Sequence, residues 1–374
     1  MINIFSNTIG HEELDAVSKI FDSRWLGSGK QCDLFEKEFA EHLKVPEILL
    51  FNNCTSAIYT AHRALNIKPG DEVIISTLNF VACANVIIDC GAKPVFADVD
   101  PVTLNILPSE IERLKSKKTK AVSLLHYGGH SADFDEIKNA AGDNVLIIED
   151  SANSVSSSYK GRMCGSLGDA GYFSFDAMKI LVMADGGALY LKDKELLEKA
   201  KVFRYLGLAP KTTSGIDSLK EKHSRWWEFE LADTAGRFIS NDVLAAIGRI
   251  QLKKLHSFIN RRKEIWEYYQ NELKNIDEIT CPPEPMKGCT SSYYLYWIKT
   301  PKRRDELASY LVENEVYTTF RYFPLHLVQY YNSKVKLPNS EKINETTLNI
   351  PLHQNLTDSE VDKIVSLIKK FFSK

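Results

Sequence analysis

The chain has 374 residues, of which 44% are hydrophobic and 26% are charged. This composition is that of a globular protein with a sizeable core, so small disulfide-stapled folds and largely disordered chains are excluded. The chain has 47 Lys and Arg residues against 49 Asp and Glu residues, a formal net charge of −2. Because no global field attracts it to nucleic acid or to an anionic membrane, we expect neither as a partner.

The cysteines and the N-terminal segment indicate in which cellular compartment the protein is expected. The seven cysteines form an odd set without a C-x-x-C pair, which argues against a disulfide framework and a zinc ribbon. The N-terminus lacks the regions of a signal peptide, and no run approaches the roughly 18 apolar residues of a membrane span. We therefore expect a cytoplasmic protein. No metal-ligand spacing and no glycine-rich dinucleotide loop occurs in the sequence.

The first half of the chain alternates between short apolar runs and helix-like stretches. Apolar strands separated by amphipathic helices predict βαβ units around a buried, mostly parallel sheet. The predicted elements are, in chain order, EILLF, TSAIYTAHRAL, EVIIS, FVACANVIIDCG, KPVFADV, SEIERLKSK, KAVSLL, FDEIKNAAG and VLIIED.

The second half has a different organisation. Leu206 to Glu230 has no clean period and predicts a long loop, whose Trp226 and Trp227 either shape a substrate site or anchor the loop. From Asn241, helical periodicity continues for about thirty residues and predicts a linking helix. A smaller α+β unit follows, with YYLYWIKT, the helix RRDELASYLVENE, the short strand VYTTFRY and a final helix. We place the large domain at residues 1–245 and the linking helix with the smaller domain at residues 246–374.

Two charged residues follow apolar segments. Asp150 ends the run VLIIED, at the strand end where α/β sheets bind ligands, although Asp is also a common helix N-cap. Lys179 stands between two strand-like runs and before Asp-Gly-Gly. A buried lysine deprotonates readily and suits Schiff-base chemistry, whereas most lysines are solvated surface residues. Neither residue is decisive by itself.

Three further residues complete a pattern. Thr55 and Ser56 begin a predicted helix, where free N–H groups hold a phosphate or where the hydroxyls act as plain caps. Phe80 is either an aromatic platform or a core residue. In a doubly wound sheet, residues at these places along the chain face one crevice: the helix start, the aromatic residue, the Asp at a strand end and the Lys. These groups are the ones that pyridoxal 5′-phosphate (PLP) requires of a protein.

The sequence resembles the DegT/DnrJ/StrS family of fold-type-I, PLP-dependent sugar aminotransferases nearly end to end. The resemblance implies an α/β fold with a large domain, built on a mostly parallel seven-stranded sheet between helices, and a smaller C-terminal α+β domain. The similar segments are WLGSGKQCDLFEKEFAEHL, GDEVIISTLNF, GAKPVFADVDPVTLNI, HYGGHSADFDEI, IIEDSANS, GDAGYFSFDAMK, DGGALYLKD, AAIGRIQL, YFPLH and NIPLHQNLTDSEV.

The resemblance also implies roles for single residues. Lys179 matches the lysine of F-S-F-x-x-x-K and would form the Schiff base with the cofactor, and Asp150 would pair with the pyridine nitrogen. The other matched residues are Ser174, Thr55 and Ser56 at the phosphate, Phe80 stacked on the ring, Asn153 near the ring hydroxyl, and His130 where many members have Gln.

Several positions depart from the family pattern. The usual Ser-Gly-Thr is Asn53-Cys54-Thr55, a backbone less permissive than one with glycine, and Gly-Glu-Gly-Gly becomes Ala-Asp-Gly-Gly at 184–187. Arg237 replaces an Asn that in the family reaches the phosphate from the neighbouring subunit, and an Arg there can contact phosphate in bidentate fashion. Arg321 replaces a frequent His. Together with Lys30, Arg321 is a candidate substrate-binding residue.

The resemblance implies a homodimer that moves an amino group from an amino acid, L-glutamate, to the keto group of a nucleotide-linked keto-deoxy sugar. The positive residues serve a small phosphorylated ketone equally well. A PLP-binding regulatory paralogue and a dehydratase of the same fold are further alternatives, and Lys179 argues against the dehydratase because those relatives have a His there. His326 and His353 lie in Pro-Leu-His turns and receive no catalytic role.

Overall fold

The computed structural model describes residues 1–209 and 227–373. The shortest helices have eight residues or fewer, and the longest has 32. In chain order the helices are α1 (His11–Ser23), α2 (Lys30–Leu43), α3 (Cys54–Ala64), α4 (Val81–Asp89), α5 (Pro108–Leu114), α6 (Phe134–Ala141), α7 (Lys194–Arg204), α8 (Asp242–Leu273), α9 (Arg304–Glu313), α10 (Pro338–Thr346) and α11 (Asp358–Phe372).

The strands form one wide sheet and two small ones within the described residues. The strands are β1 (Leu49–Phe51), β2 (Glu72–Ser76), β3 (Lys93–Ala97), β4 (Thr119–Leu125), β5 (Leu146–Asp150), β6 (Ser158–Tyr159), β7 (Arg162–Met163), β8 (Ala170–Ser174), β9 (Gly187–Leu191), β10 (Tyr296–Lys299) and β11 (Thr347–Ile350). The wide sheet has seven strands in the order β1-β9-β8-β5-β4-β2-β3. Only β9 runs antiparallel to its neighbours in that sheet.

Helices cover both faces of the wide sheet, which explains why its strands are nearly continuous apolar runs. On one face, Phe35 and Phe39 of α2 pack against Phe173 and Phe175. On the other face, α3 and α4 share a buried cluster with β5 and β8. The predicted α/β fold with a mostly parallel seven-stranded sheet is confirmed.

The C-terminal part has its own buried cluster. The second half of α8 packs there with β10, β11, α9 and α11. The N-terminal Ile2 joins this cluster and forms a parallel bridge with Val316. The long helix predicted from Asn241 is confirmed, since α8 begins one residue later and the Asn241 side chain caps it. The domain boundary at 245/246 stays a prediction.

The segment VYTTFRY differs from the predicted short strand. It forms only isolated bridges, from Val316 to Ile2 and from Thr319 to Asn349. Because the two bridges lead to different partners, no single neighbour supplies a continuous ladder. The sequence analysis also missed β11, which pairs with β10.

The predicted loop from Leu206 to Glu230 is described only at its two ends. Leu208 forms a bridge with Leu231, and the Trp227 side chain is exposed. Trp226 lies outside the described residues. None of the helices in residues 1–209 and 227–373 combines the length and apolar composition that a bilayer span requires.

Candidate active site

A cavity of about 680 Å³ lies where the parallel strands of the wide sheet end. This is the edge at which open α/β sheets bind ligands, and the volume is that of a small-molecule site. The predicted site residues that line it are Thr55, Ser56, Phe80, Asp150, Ser174, Lys179 and Arg321. The fold therefore brings together seven residues that are up to 266 positions apart in the sequence.

The first turn of α3 forms one end of the cavity. Asn53 is the N-cap, and its Oδ1 accepts a hydrogen bond from the Ser56 N–H at 2.8 Å. Cys54 is the first helical residue and does not have a positive φ, so the missing family glycine causes no backbone strain here. The free N–H groups and hydroxyls of a helix start favour an anion.

The turn at residues 184–187 leads into β9 and packs against the start of α3. Ala184 adopts a left-handed backbone with φ of 65°, which a glycine adopts at lower cost. A Cβ on Gly187 would lie 2.6 Å from the Cys54 Cα, so only glycine allows this close approach. The second Gly of Ala-Asp-Gly-Gly is therefore required by the packing of β9 against α3.

Asp150 ends β5, and its side chain is buried beside the cavity. Its Oδ1 accepts a hydrogen bond from the Ala152 N–H at 3.1 Å. Burial raises the pKa of Asp150 above its ordinary value, and this effect outweighs the opposing effect of Lys179 and nearby donors. A buried carboxylate of this kind is stabilised by a cationic partner in the cavity.

Lys179 reaches the same cavity from a tight turn. Its N–H donates to the Asp176 carbonyl oxygen at 2.9 Å, and its Nζ lies 5.0 Å from the centre of the Tyr294 ring. Burial alone lowers the pKa of Lys179, but the neighbouring phenols, the Cys54 thiol and the Asp150 carboxylate more than offset it. The pKa is therefore raised, and the free side chain is an ammonium.

Two aromatic rings of the cavity lining lie close to each other. Phe80 is the N-cap of α4, is 58% exposed, and lies 6.3 Å from Tyr322 between ring centres. The Tyr322 hydroxyl donates to Asn153 Oδ1 at 3.4 Å. Asn153 is buried behind this ring and is not among the described lining residues. Phe80 is thus no core residue, and its exposed face is available to a planar ligand.

Buried polar groups around Asp150 show that the site fits a polar ligand. The Asn153 side-chain nitrogen has no hydrogen-bond partner among the described residues. The Asn79 amide and the Tyr172 hydroxyl interact with the Asp150 carboxylate and act to lower its pKa. Unpartnered buried atoms are rare in folded proteins unless water or a ligand satisfies them. The groups around Asp150 fit the pyridine ring and ring hydroxyl of PLP, and the α3 start fits its phosphate.

Arg321 supplies a positive charge on the Tyr322 side. Its guanidinium lies 4.5 Å above the centre of the Phe5 ring and contacts the Met178 sulfur at 3.2 Å. These contacts leave it without a carboxylate partner among the ion pairs of the described residues. Such a guanidinium binds a carboxylate or a phosphate.

Lys30 and Arg237 lie outside the cavity of their own chain. Lys30 is the exposed first residue of α2. Arg237 is exposed with its guanidinium 6.0 Å from the Tyr205 ring centre, although the next residue, Phe238, lines the cavity.

His130 and His353 are buried away from the lining residues. His130 packs among Trp266, Tyr293 and Trp297, and burial lowers its pKa to about 4. Burial likewise lowers the pKa of His353 to about 4. Both imidazoles are therefore neutral at physiological pH.

The sequence analysis missed four residues of the site. Asn79 and Tyr172 lie within the motifs STLNF and GYFSF, so their place in segments that resemble the family was a usable signal. Tyr322 follows Arg321 directly. Tyr294 lies in SSYYLYW, which carries no local sign of a site, and only tertiary packing brings it to Lys179.

Residues 7–369 match the DegT/DnrJ/EryC1/StrS aminotransferase family. A dTDP-4-dehydro-2,3,6-trideoxy-D-glucose 4-aminotransferase from Saccharopolyspora spinosa is 43% identical, over 99% of this chain and 96% of the relative. The crystal structure of the aminotransferase TlmJ from Streptoalloteichus hindustanus is 44% identical with a TM-score of 0.94, over 100% of this chain and 99% of that chain.

The pyridoxamine-phosphate form of a candidate sugar aminotransferase from Streptococcus pneumoniae has a TM-score of 0.92 at 25% identity, over 100% of this chain and 99% of that chain. These similarities extend over the whole chain, including the cavity. The chain is an aminotransferase and belongs to the DegT/DnrJ/EryC1/StrS family, which is PLP-dependent.

Proposed function

We propose that this protein uses PLP to move an amino group from L-glutamate to the keto group of a nucleotide-linked keto-deoxy sugar. The observation that carries the proposal is the placement of Lys179 and Asp150 on one cavity, next to a helix start that suits a phosphate. A Schiff-base amine, a buried carboxylate and an anion site are the groups that this chemistry needs.

Each part of the cofactor has a group in this chain that would hold it. Thr55, Ser56 and the α3 N-terminus would bind the phosphate together with Ser174. Phe80 would cover one face of the ring, and Asp150 would pair with the ring nitrogen. When bound, PLP supplies an electron sink that stabilises the charge left at the donor's α-carbon after its proton leaves.

Lys179 and Asp150 divide the proton chemistry. Asp150 favours the protonated ring nitrogen because a buried carboxylate stabilises a neighbouring cation. Lys179 would bond to the cofactor aldehyde carbon and, once displaced by the donor amine, would take the α-proton and return it at the adjacent carbon.

The acceptor class is supported by the named relatives and by the charge of the cavity. The Saccharopolyspora relative acts on a dTDP-linked keto sugar, and Arg321 offers a guanidinium suited to a diphosphate. A small phosphorylated ketone carries the same charge and remains the second acceptor class.

We also propose a homodimer in which Arg237 of one copy serves the cofactor phosphate of the other. Arg237 is exposed and outside its own cavity, whereas Phe238 beside it lines that cavity. An exposed arginine next to a site wall is placed to contribute across a two-fold interface.

The test compares acceptors with purified protein, PLP and L-glutamate. We expect product mass spectrometry to show amination of dTDP- or GDP-linked keto-deoxy sugars and none of small phosphorylated ketones. Lys179→Ala should abolish transfer, and Lys194→Ala, which removes an exposed lysine of α7, should leave it unchanged.

Three outcomes would contradict the proposal. Amination of phosphorylated ketones alone would replace the acceptor class. Bound PLP without loss of the glutamate amino group would indicate a regulatory paralogue. Full transfer by Lys179→Ala would remove the assigned lysine from the mechanism.

A further inference from the structure

The Pro-Leu-His turn at 324–326 connects two distant parts of the chain. The Leu325 N–H donates to the Thr77 carbonyl oxygen at 2.8 Å, and the His326 N–H donates to Thr77 Oγ1 at 3.2 Å. The same hydroxyl lies 2.8 Å from His326 Nδ1. Thr77 is fully buried and His326 is nearly so, which protects these hydrogen bonds from water.

This geometry assigns the imidazole tautomer. Thr77 Oγ1 accepts from the His326 N–H, and among the described residues His326 Nδ1 is the one hydrogen-bond acceptor within reach of the buried hydroxyl proton, so the hydroxyl donates to Nδ1. Nδ1 is then unprotonated and Nε2 carries the hydrogen, which points to Glu341 Oε1 at 3.4 Å. His326 is therefore neutral in this arrangement.

The two linked residues each lie close to one wall of the cavity. Thr77 comes three residues before Phe80, and His326 comes four residues after Tyr322. The Phe80 and Tyr322 ring centres lie 6.3 Å apart with the rings tilted by 54°, and Arg321 adjoins Tyr322 in the lining. The Thr77–His326 hydrogen bond thus ties the wall that carries Phe80 to the wall that carries Tyr322.

We propose that His326 is a positioning residue for amino transfer, which through Thr77 sets the spacing between Phe80 and the Arg321–Tyr322 wall, and that it does so only as neutral imidazole. This role rests on the proposed function. Hydrogen bonds link Glu341, His326 and Thr77 in the order of carboxylate, imidazole and hydroxyl that a nucleophilic triad has. Thr77 is fully buried, so its hydroxyl is not placed to attack a substrate. None of the three is among the described lining residues, so the hydrogen bonds act on geometry rather than on substrate.

Acid should release the link. The charged groups that face His326 are Glu341 of α10 and Asp98, which follows β3 and accepts hydrogen bonds from the first turn of α10. Their negative charge favours protonation, but burial outweighs it and lowers the pKa of His326. Because the fold favours the neutral form, the link is complete at neutral pH and is lost only as pH falls through the lowered pKa of His326.

The test uses paired variants and L-glutamate as the substrate probe. Thr77→Val removes the hydroxyl at nearly constant volume, and His326→Ala removes the acceptor. We expect each to raise the KM for L-glutamate about tenfold with a smaller change in kcat, as for loss of one buried hydrogen bond. Thr77→Ser and His326→Asn keep a hydroxyl and an oxygen acceptor, so we expect both within twofold of wild type.

A second readout needs no catalysis. In the cofactor-free protein, hydrogen exchange of residues 319–332 should accelerate in Thr77→Val but not in Thr77→Ser, while α11 stays protected. His353→Asn, in the other Pro-Leu-His turn, is the matched control and should change neither exchange at 319–332 nor KM. In wild type, the KM should rise as pH falls through the lowered pKa of His326, below the ordinary histidine value, and Thr77→Val should lack this rise.

The proposal is overturned if Thr77→Val matches Thr77→Ser in KM and exchange, or if exchange accelerates equally in α11, which would mean a general loss of stability. A wild-type protein that takes no amino group from L-glutamate would instead contradict the proposed function. The exchange comparison tests the link in that case too.

Discussion

Replacing Asp150 with Asn removes a negative charge and nearly preserves the size of the side chain. Two unit charges about 4 Å apart interact by about 4 kcal/mol at the effective dielectric of about 20 that suits protein sites. Asp150 is only 5% exposed, so solvent does little to weaken its attraction for a protonated ring nitrogen. Losing that attraction in the transition state corresponds to about 10²–10³-fold in rate.

The assay follows the donor half-reaction with L-glutamate by the visible absorbance of the bound cofactor under single-turnover conditions. We expect Asp150→Asn to lower the rate by the stated factor and to retain cofactor binding through the phosphate site. Asp185→Asn removes another carboxylate of the same cavity and should have a much smaller effect. Equal losses in the two variants, or a loss below about tenfold for Asp150→Asn, would refute the pairing of Asp150 with the ring.

Three further predictions concern stability and assembly. In the cofactor-free protein, burial raises the pKa of Asp150, so the fold favours the neutral acid. As pH rises from about 4 through that raised pKa, the wild-type protein should lose stability relative to Asp150→Asn, as measured by chemical denaturation. Parallel pH profiles for the two proteins would contradict this prediction. Gly187→Ala would place a Cβ 2.6 Å from the Cys54 Cα and should lower the free energy of unfolding by about 2–4 kcal/mol. In the control Gly186→Ala, the nearest neighbour of the new Cβ is the flexible Met183 side chain, so the loss should be less than about 1 kcal/mol. Similar losses in the two variants would argue against the close approach. Lys179→Ala subunits should be inactive and Arg237→Ala subunits weakly active when each is alone, and refolding them together should restore about a quarter of the native sites, because only mixed dimers hold one complete site. No recovery on mixing would place Arg237 outside the partner's site.

The local parts of the account were accessible from the sequence. The wide sheet follows from apolar runs between amphipathic helices. Asp150 lies at the end of β5 and Lys179 in the turn after β8, and such a sheet directs both toward one crevice. Helical periodicity from Asn241 likewise located α8, whose N-cap is Asn241.

Other features depend on contacts between distant segments and left no local pattern. Tyr294 and Tyr322 enter the site through tertiary packing of the C-terminal part against the wide sheet. VYTTFRY has strand-like composition, but its two bridges lead to different partners. Arg237 is exposed, and no pattern within one chain specifies its proposed contact with a second copy.

Borohydride trapping tests the central claim most directly. Reduction of the PLP-loaded protein fixes the carbon–nitrogen bond between the cofactor and the lysine that holds it, and peptide mass spectrometry then locates that lysine. We expect the added mass on Lys179 and its absence from Lys179→Ala. Added mass on another lysine of the wild-type protein, or none at all, would contradict the account.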